Sequence, residues 1–273
     1  MADSMVRRAA TTERVEATTD LISAWPEVAR ETTRPPIHVD DLPLVIDLTT
    51  ENPRIEFDAR PMLTAGAALL SAPRWRVNVK RLMDVSGAIL ALVASLPIFA
   101  IVAAAVKLSS PGPVIFSQAP VGKDGRVFRF YKFRSMRMNA ESEREILKKY
   151  NESTGPVFKI KEDPRLTPVG RFIRRTSIDE LPQLWNVLRG DMSLVGPRPP
   201  IPHEVAMYSA WENQRLSVKP GLTCIWQVSG RCEVDFETWV QMDIEYIENW
   251  SLLFDLKLLA RTIPAVLLGR GAY

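Results

Sequence analysis

The sequence predicts a mainly helical α+β protein, with one membrane-inserted helix, a compact domain after it and an amphipathic helix near the end. Three observations predict this. Val85 to Val106 is a run of 22 residues without a charge, long enough to enter a bilayer core as a helix. Strand-like patterns flank the turn sequence Lys123-Asp124-Gly125. The stretch from Arg171 to Pro199 sets an acidic pair just after two arginines and just before an apolar helix. With 273 residues and 46% hydrophobic composition, the chain can bury a full core.

Composition argues against several functions. Net charge is only +3 and the basic residues are spread along the chain, unlike a dedicated nucleic-acid binder. Cys224, Cys232, His38 and His203 fall short of a thiolate–imidazole metal site, and reduced thiols are expected. The first twenty residues lack the apolar core of a secretory signal.

Residues 1–70 mix charge, threonine, proline and short apolar runs, and read as a loosely ordered extension. Residues 71–110 hold the hydrophobic helix and residues 111–273 the compact domain. Pro97, near the middle of the apolar run, removes a helix hydrogen bond, so the segment either crosses the bilayer bent or enters and returns on one face. Arg74, Arg76, Lys80 and Arg81 precede it, and Lys107, Lys123, Arg126 and Arg129 follow. Basic residues on both sides favour re-entry, because a span would leave one basic flank outside. An ordinary single span stays open.

Pro111-Gly112-Pro113 ends the helix, and Val114–Phe116 with Val127–Phe133 read as a hairpin. Its second strand carries Arg129, Lys132 and Arg134 among aromatics, either to bind phosphate or a base, or as an exposed basic face. Glu141–Tyr150 reads as a charged surface helix. In the acidic-pair stretch, Asp179 is predicted to cap a helix that Gly190 closes, with Pro182 at the third position. Leu181, Leu184, Trp185 and Leu188 form its predicted buried stripe. The N–H groups at its start suit a phosphorylated ligand, with Arg174, Arg175 and Arg198 as counter-charges; capping alone would also explain Asp179-Glu180. Further on, Glu204–Val218 reads as a helix, Leu222–Val228 as a strand and Asp235–Trp250 as a helix. Asp243 falls on the apolar face of the last, so it needs a partner: Arg231, a backbone cap, a metal or a substrate group. Ser251–Leu268 is amphipathic, with Asp255, Lys257 and Arg261 as its polar side.

Taken together, five segments spread over residues 78–268 resemble the bacterial sugar transferases. They are KRLMDVSGAILALVASLPIFAIVAAAVKLSSPGPVIF, KFRSM, DPRLTPVGRFIRRTSIDELPQLWNVLRGDMSLVGPRP, KPGLTCIWQVSGR and YIENWSLLFDLKLL. These monotopic phosphoglycosyl transferases begin exopolysaccharide and O-antigen assembly, and this chain is similar to their short-form members. The resemblance implies a compact cytosolic catalytic domain on a kinked re-entrant helix, with amphipathic interfacial helices, at the bacterial inner membrane. It implies transfer of a sugar 1-phosphate from a nucleotide diphosphate sugar to polyprenyl (undecaprenyl) phosphate, with release of nucleoside monophosphate. It also implies that Asp179 is the nucleophile, carrying the phosphosugar as an acyl phosphate, and that Glu180 holds Mg²⁺. Lys132, Arg174, Arg198 and Arg231 match positions that handle phosphate or nucleotide, and Asp243 matches the acidic position after the last strand. Two positions depart from the family pattern: Ser95 stands one residue earlier than the common Ser-Pro, and Cys232 replaces a small polar residue. Two rivals are a membrane-anchored scaffold with a dead transferase core, and a glycosyl transferase that moves only the sugar and releases nucleoside diphosphate. The intact set of charged residues counts against the first. The sugar, the base and a homodimer stay open, and no nucleic-acid partner is expected.

Overall fold

The computed structural model describes residues 54–55, 67–229 and 234–268, so Arg231, Cys232 and most of the N-terminal extension lie outside it. Helix α1, Arg74–Ser109, is one run of 36 residues, about 54 Å long by its rise. It is long and apolar enough to cross a membrane. Pro97 sits inside it and denies the Val93 carbonyl a donor. The Ser95 hydroxyl turns back instead to the carbonyls of Ala91 and Leu92, at 2.6 and 3.1 Å. Asp84, Ala88, Ser95, Val102 and Val106 are buried along one face, whereas Leu82, Leu90, Val93, Leu96, Ile101 and Leu108 are exposed.

The hairpin forms as predicted, with β1, Ile115–Gln118, antiparallel to β2, Phe130–Phe133. Asp124 takes φ 56 in its turn, a left-handed conformation that Asp tolerates. Arg134, just past β2, is buried and donates to the carbonyls of Ser110 and Pro111, beyond the C-terminal end of α1. Of the expected helix Glu141–Tyr150 only α2, Arg144–Leu147, and a three-ten turn form; no residue of α2 is buried, so nothing packs a longer helix down.

Helix α3, Pro168–Arg175, starts at Thr167, whose hydroxyl accepts the Gly170 N–H at 2.9 Å. Gly170 is required there: a Cβ would lie 1.7 Å from the Ser135 carbonyl oxygen. A three-ten turn, Ile178–Gln183, then leads into α4, Leu184–Arg189, which Gly190 ends at φ 87. Asp179 is therefore inside the three-ten turn, not the cap of a continuous helix. The tighter winding also shifts the buried face, so Trp185 is 53% exposed while Asn186 and Val187 are buried. The Asn186 amide donates to the Arg129 carbonyl at 2.6 Å and accepts the Tyr131 N–H at 3.4 Å, tying α4 to β2.

Strand β3, Ser193–Val195, pairs in parallel with β4, Gly221–Thr223. Between them lie α5, Pro202–Val205, α6, Ala210–Asn213, and a three-ten turn, Gln214–Ser217, in place of one helix from Glu204 to Val218. A capping box between Ser209 and Glu212 starts a new helix mid-stretch. The expected strand Leu222–Val228 stops at Thr223, and α7, Ile225–Ser229, follows and buries Trp226. Helix α8, Phe236–Glu248, is capped by Asp235, and α9 spans Leu252–Leu268. Asp255 belongs to the inside of α9, not its polar face, since it is buried against Lys80; Lys257 and Arg261 stay exposed.

The main core gathers Leu184, Val187, Met192, Val195, Val240, Ile247 and Leu258 with Ala88 of α1. A smaller one joins Val102 and Val106 of α1 to Phe133 and Ile173. Ala68 and Leu69 donate to the carbonyls of Glu248 and Ile247, so the chain enters α1 from the end of α8.

Candidate active site

Three elements converge on the acidic pair: β2 carries Lys132, the last turn of α3 carries Arg174, and the three-ten turn carries Asp179 and Glu180. The chain reverses at Ser177, which takes φ 55, a left-handed conformation that costs a serine about 1–2 kcal/mol. The Ser177 carbonyl accepts the Glu180 N–H at 3.2 Å, closing the turn. The reversal aims Asp179 inward, leaving it 6% exposed, while Glu180 stays partly open. Lys132 Nζ lies 3.2 Å from Glu180 Oε1 and 5.1 Å from the centre of the Phe130 ring.

Burial raises the Asp179 pKa from 3.8 to about 6; Lys132 opposes this, the neighbouring Glu180 charge adds to it, and Arg174 also opposes it. At neutral pH the group is then an ionised but poorly hydrated carboxylate. Such a carboxylate can act as a nucleophile toward phosphorus if cations neutralise the incoming phosphate, and Lys132 and Arg174 are the cations whose charge reaches it.

Arg198 and Asp243 fall in a second group. Asp243 is buried and paired with Arg215, whose Nη2 lies 2.7 Å from Oδ2. That pairing meets the need of Asp243 for a partner; Arg231, one of the partners the sequence allowed, is outside the described residues. Burial pushes the Asp243 pKa up to about 6, with Arg215 the main opposing charge. Arg215 also donates to the Tyr208 hydroxyl at 2.9 Å and to the Arg198 carbonyl at 3.2 Å. The Arg198 guanidinium lies 5.3 Å from the Trp239 ring centre, and its buried Nη1 has no hydrogen-bond partner. Arg215 was missed in the sequence because the segment around it reads as one amphipathic helix; the one signal was the need of Asp243 for a partner.

Among the described residues, no group of three or more His, Cys, Asp or Glu side chains could hold a metal ion. Glu180, partly open beside Lys132, is a carboxylate of the type that could join waters and substrate phosphates around Mg²⁺, a cation commonly bound without a closed protein cage.

The domain that carries this site packs against a helix long and apolar enough to cross a membrane. The family is bacterial sugar transferase: its model matches residues 75–269, and the chain belongs to it. The chain is 50% identical to the galactosyl transferase CpsE of Streptococcus agalactiae over 194 residues, covering 71% of this chain and 43% of that protein. It is 42% identical to the exopolysaccharide production protein ExoY of Sinorhizobium fredii, covering 71% of this chain and 88% of that protein. Identity to the undecaprenyl-phosphate galactose phosphotransferase of Salmonella typhimurium is 44%, covering 71% and 42%. The matched region thus spans less than half of two of these relatives and most of the third.

Proposed function

We propose that the protein transfers a sugar 1-phosphate from a nucleotide diphosphate sugar to polyprenyl phosphate and releases nucleoside monophosphate. The burial of Asp179 among Lys132, Glu180 and Arg174 carries this reading. An Asp179 carboxylate oxygen attacks the phosphorus that bears the sugar. The bond to the bridging oxygen breaks, and nucleoside monophosphate leaves with the electron pair. A phosphate oxygen of the lipid then attacks the acyl phosphate and regenerates the carboxylate. Lys132, Arg174 and Arg198 bind and orient the donor phosphates, with Arg231 added by resemblance. Asp243 supports Arg198 through Arg215. Glu180 would hold Mg²⁺, which supplies charge neutralisation on the diphosphate. The Salmonella relative's name supports the acceptor class, and the ExoY name supports a role in exopolysaccharide production.

The test is a single incubation of enzyme with donor and Mg²⁺ but no lipid. About one equivalent of nucleoside monophosphate should appear, and the protein should gain the mass of a sugar phosphate at Asp179. Added polyprenyl phosphate should discharge it. Sequential kinetics with no adduct under rapid quenching would instead favour direct attack by the lipid phosphate.

We further infer that α1 lies re-entrant in one leaflet, with the catalytic domain on the cytoplasmic face of the inner membrane, where nucleotide sugars are. Contacts run along α1 from Lys80 to Val106, so a perpendicular span would carry Phe133, Ile173 and Leu194 into the bilayer with it. The exposed Leu253, Leu256 and Ile263 of α9 add a second apolar surface. Tags placed before Arg74 and after Tyr273 should both resist external labelling of intact cells. Labelling of one end alone would establish a span.

A further inference from the structure

The base of α1 grips the strand that leads to Arg198. Lys80 and Asp84, one turn apart and so on one helix face, reach three consecutive residues of β3. Asp84 Oδ1 accepts the Ser193 hydroxyl and the Leu194 N–H, each at 2.9 Å. Lys80 Nζ donates to the Val195 carbonyl at 3.1 Å and to Asp255 Oδ2 at 2.6 Å. The Tyr246 hydroxyl lies 3.0 Å from the same carbonyl and 2.8 Å from Asp255 Oδ1, and the Trp250 indole donates to Asp255 Oδ2 at 3.1 Å. Among the described residues β3 has only β4 as a strand neighbour, and side chains of α1 hold its other side.

The turn from Val195 to Arg198 has no slack. Gly196 donates to the Thr223 carbonyl at 3.0 Å, and Gly221 donates to the Pro197 carbonyl at 2.8 Å. A Cβ on Gly196 would lie 2.6 Å from the Lys219 carbonyl oxygen. A displacement of Val195 is therefore passed on to Arg198. Meanwhile a buried lysine–carboxylate pair adds little net stability over apolar contacts of the same volume, and its better-attested use is to fix register. Apolar contacts such as Ala88 already hold α1 to the domain; Lys80 and Asp255 add direction.

We propose that Lys80 is a positioning residue for the donor site. Through the Val195 carbonyl it sets the height of the Arg198 turn against the membrane helix, so donor binding depends on α1 being seated on β3. This rests on the reading of Arg198 as a contact of the donor diphosphate. The test uses the full chain in lipid nanodiscs, with donor and polyprenyl phosphate varied separately for Lys80→Met, Lys80→Arg, Arg198→Ala and the double variants. Lys80→Met and Lys80→Arg should each raise the donor KM about tenfold and leave the acceptor KM unchanged. In the Arg198→Ala background, Lys80→Met should add less than about twofold, because both changes act through one contact. If Lys80→Met does not fold, Lys80→Arg carries the test, since it keeps the charge but replaces a point donor with a planar fork. A folded Lys80→Arg protein with the wild-type donor KM overturns the proposal. So does a Lys80 effect that multiplies the Arg198→Ala effect in full while Arg198→Ala alone raises the donor KM. An Arg198→Ala protein with the wild-type donor KM instead removes the reading of Arg198 on which the proposal rests.

Discussion

At pH 7 the fold holds Asp179 as a carboxylate in surroundings that favour the neutral acid. Its folded-state pKa of about 6 exceeds the ordinary 3.8, so between those values the folded state binds protons that the unfolded chain releases. Stability from this group therefore rises as pH falls from about 6 toward 4, and above 6 the buried charge costs the fold on the order of 2–3 kcal/mol. Asp179→Asn should raise thermal stability at pH 7, with a smaller gain at pH 5, while abolishing transfer. A lower melting temperature at pH 7 would contradict this. In kcat/KM, the acid limb should fall near pH 6. Lys132→Met should move the limb of the residual activity upward by removing an opposing charge, and Glu180→Gln should move it downward. Arg215→Met should cost about 3–5 kcal/mol at pH 7 by stranding Asp243, measured by thermal unfolding, and less at pH 5, where Asp243 is protonated. The acidic pair and its nearby cations were legible because they lie in short contiguous motifs. Arg215 was not, because it meets Asp243 from across a break between short helices that no periodicity announces.

Elements were legible where one local rule dominated. The charge-free run gave α1, the Lys-Asp-Gly turn gave the hairpin, and the apolar face within Asp235–Trp250 gave α8. Prediction failed where packing had to choose between similar local options. Leu222–Val228 has strand-forming residues, yet beyond Thr223 the chain turns helical and buries Trp226 beside Trp239, ring centres 4.5 Å apart. The entry to α4 looked like a plain helix start, and its three-ten winding moved Trp185 outward. Close approach is a sharper test at this scale. Gly170→Ala drives a methyl into the Ser135 carbonyl at the joint between α3 and the strand carrying Lys132, and should destabilise by about 3 kcal/mol in thermal unfolding. An unchanged melting temperature would mean that α3 can slide away from β2.

At the scale of the whole molecule, hydropathy picked out a helix long and apolar enough for a membrane but concealed that it has two different sides. Its outer side leaves Leu90, Val93 and Ile101 exposed, while its inner side contributes Ala88, Val102 and Val106 to the two cores. A methyl on Gly87 would meet the end of the Leu194 side chain at 2.7 Å and push it aside. The segment is consequently not an interchangeable tether. A borrowed helix of equal length and greasiness would still deliver the polypeptide to the bilayer, but would arrive with the wrong surface facing inward. Cutting the segment away to obtain a water-soluble enzyme would uncover Phe133 and Ile173.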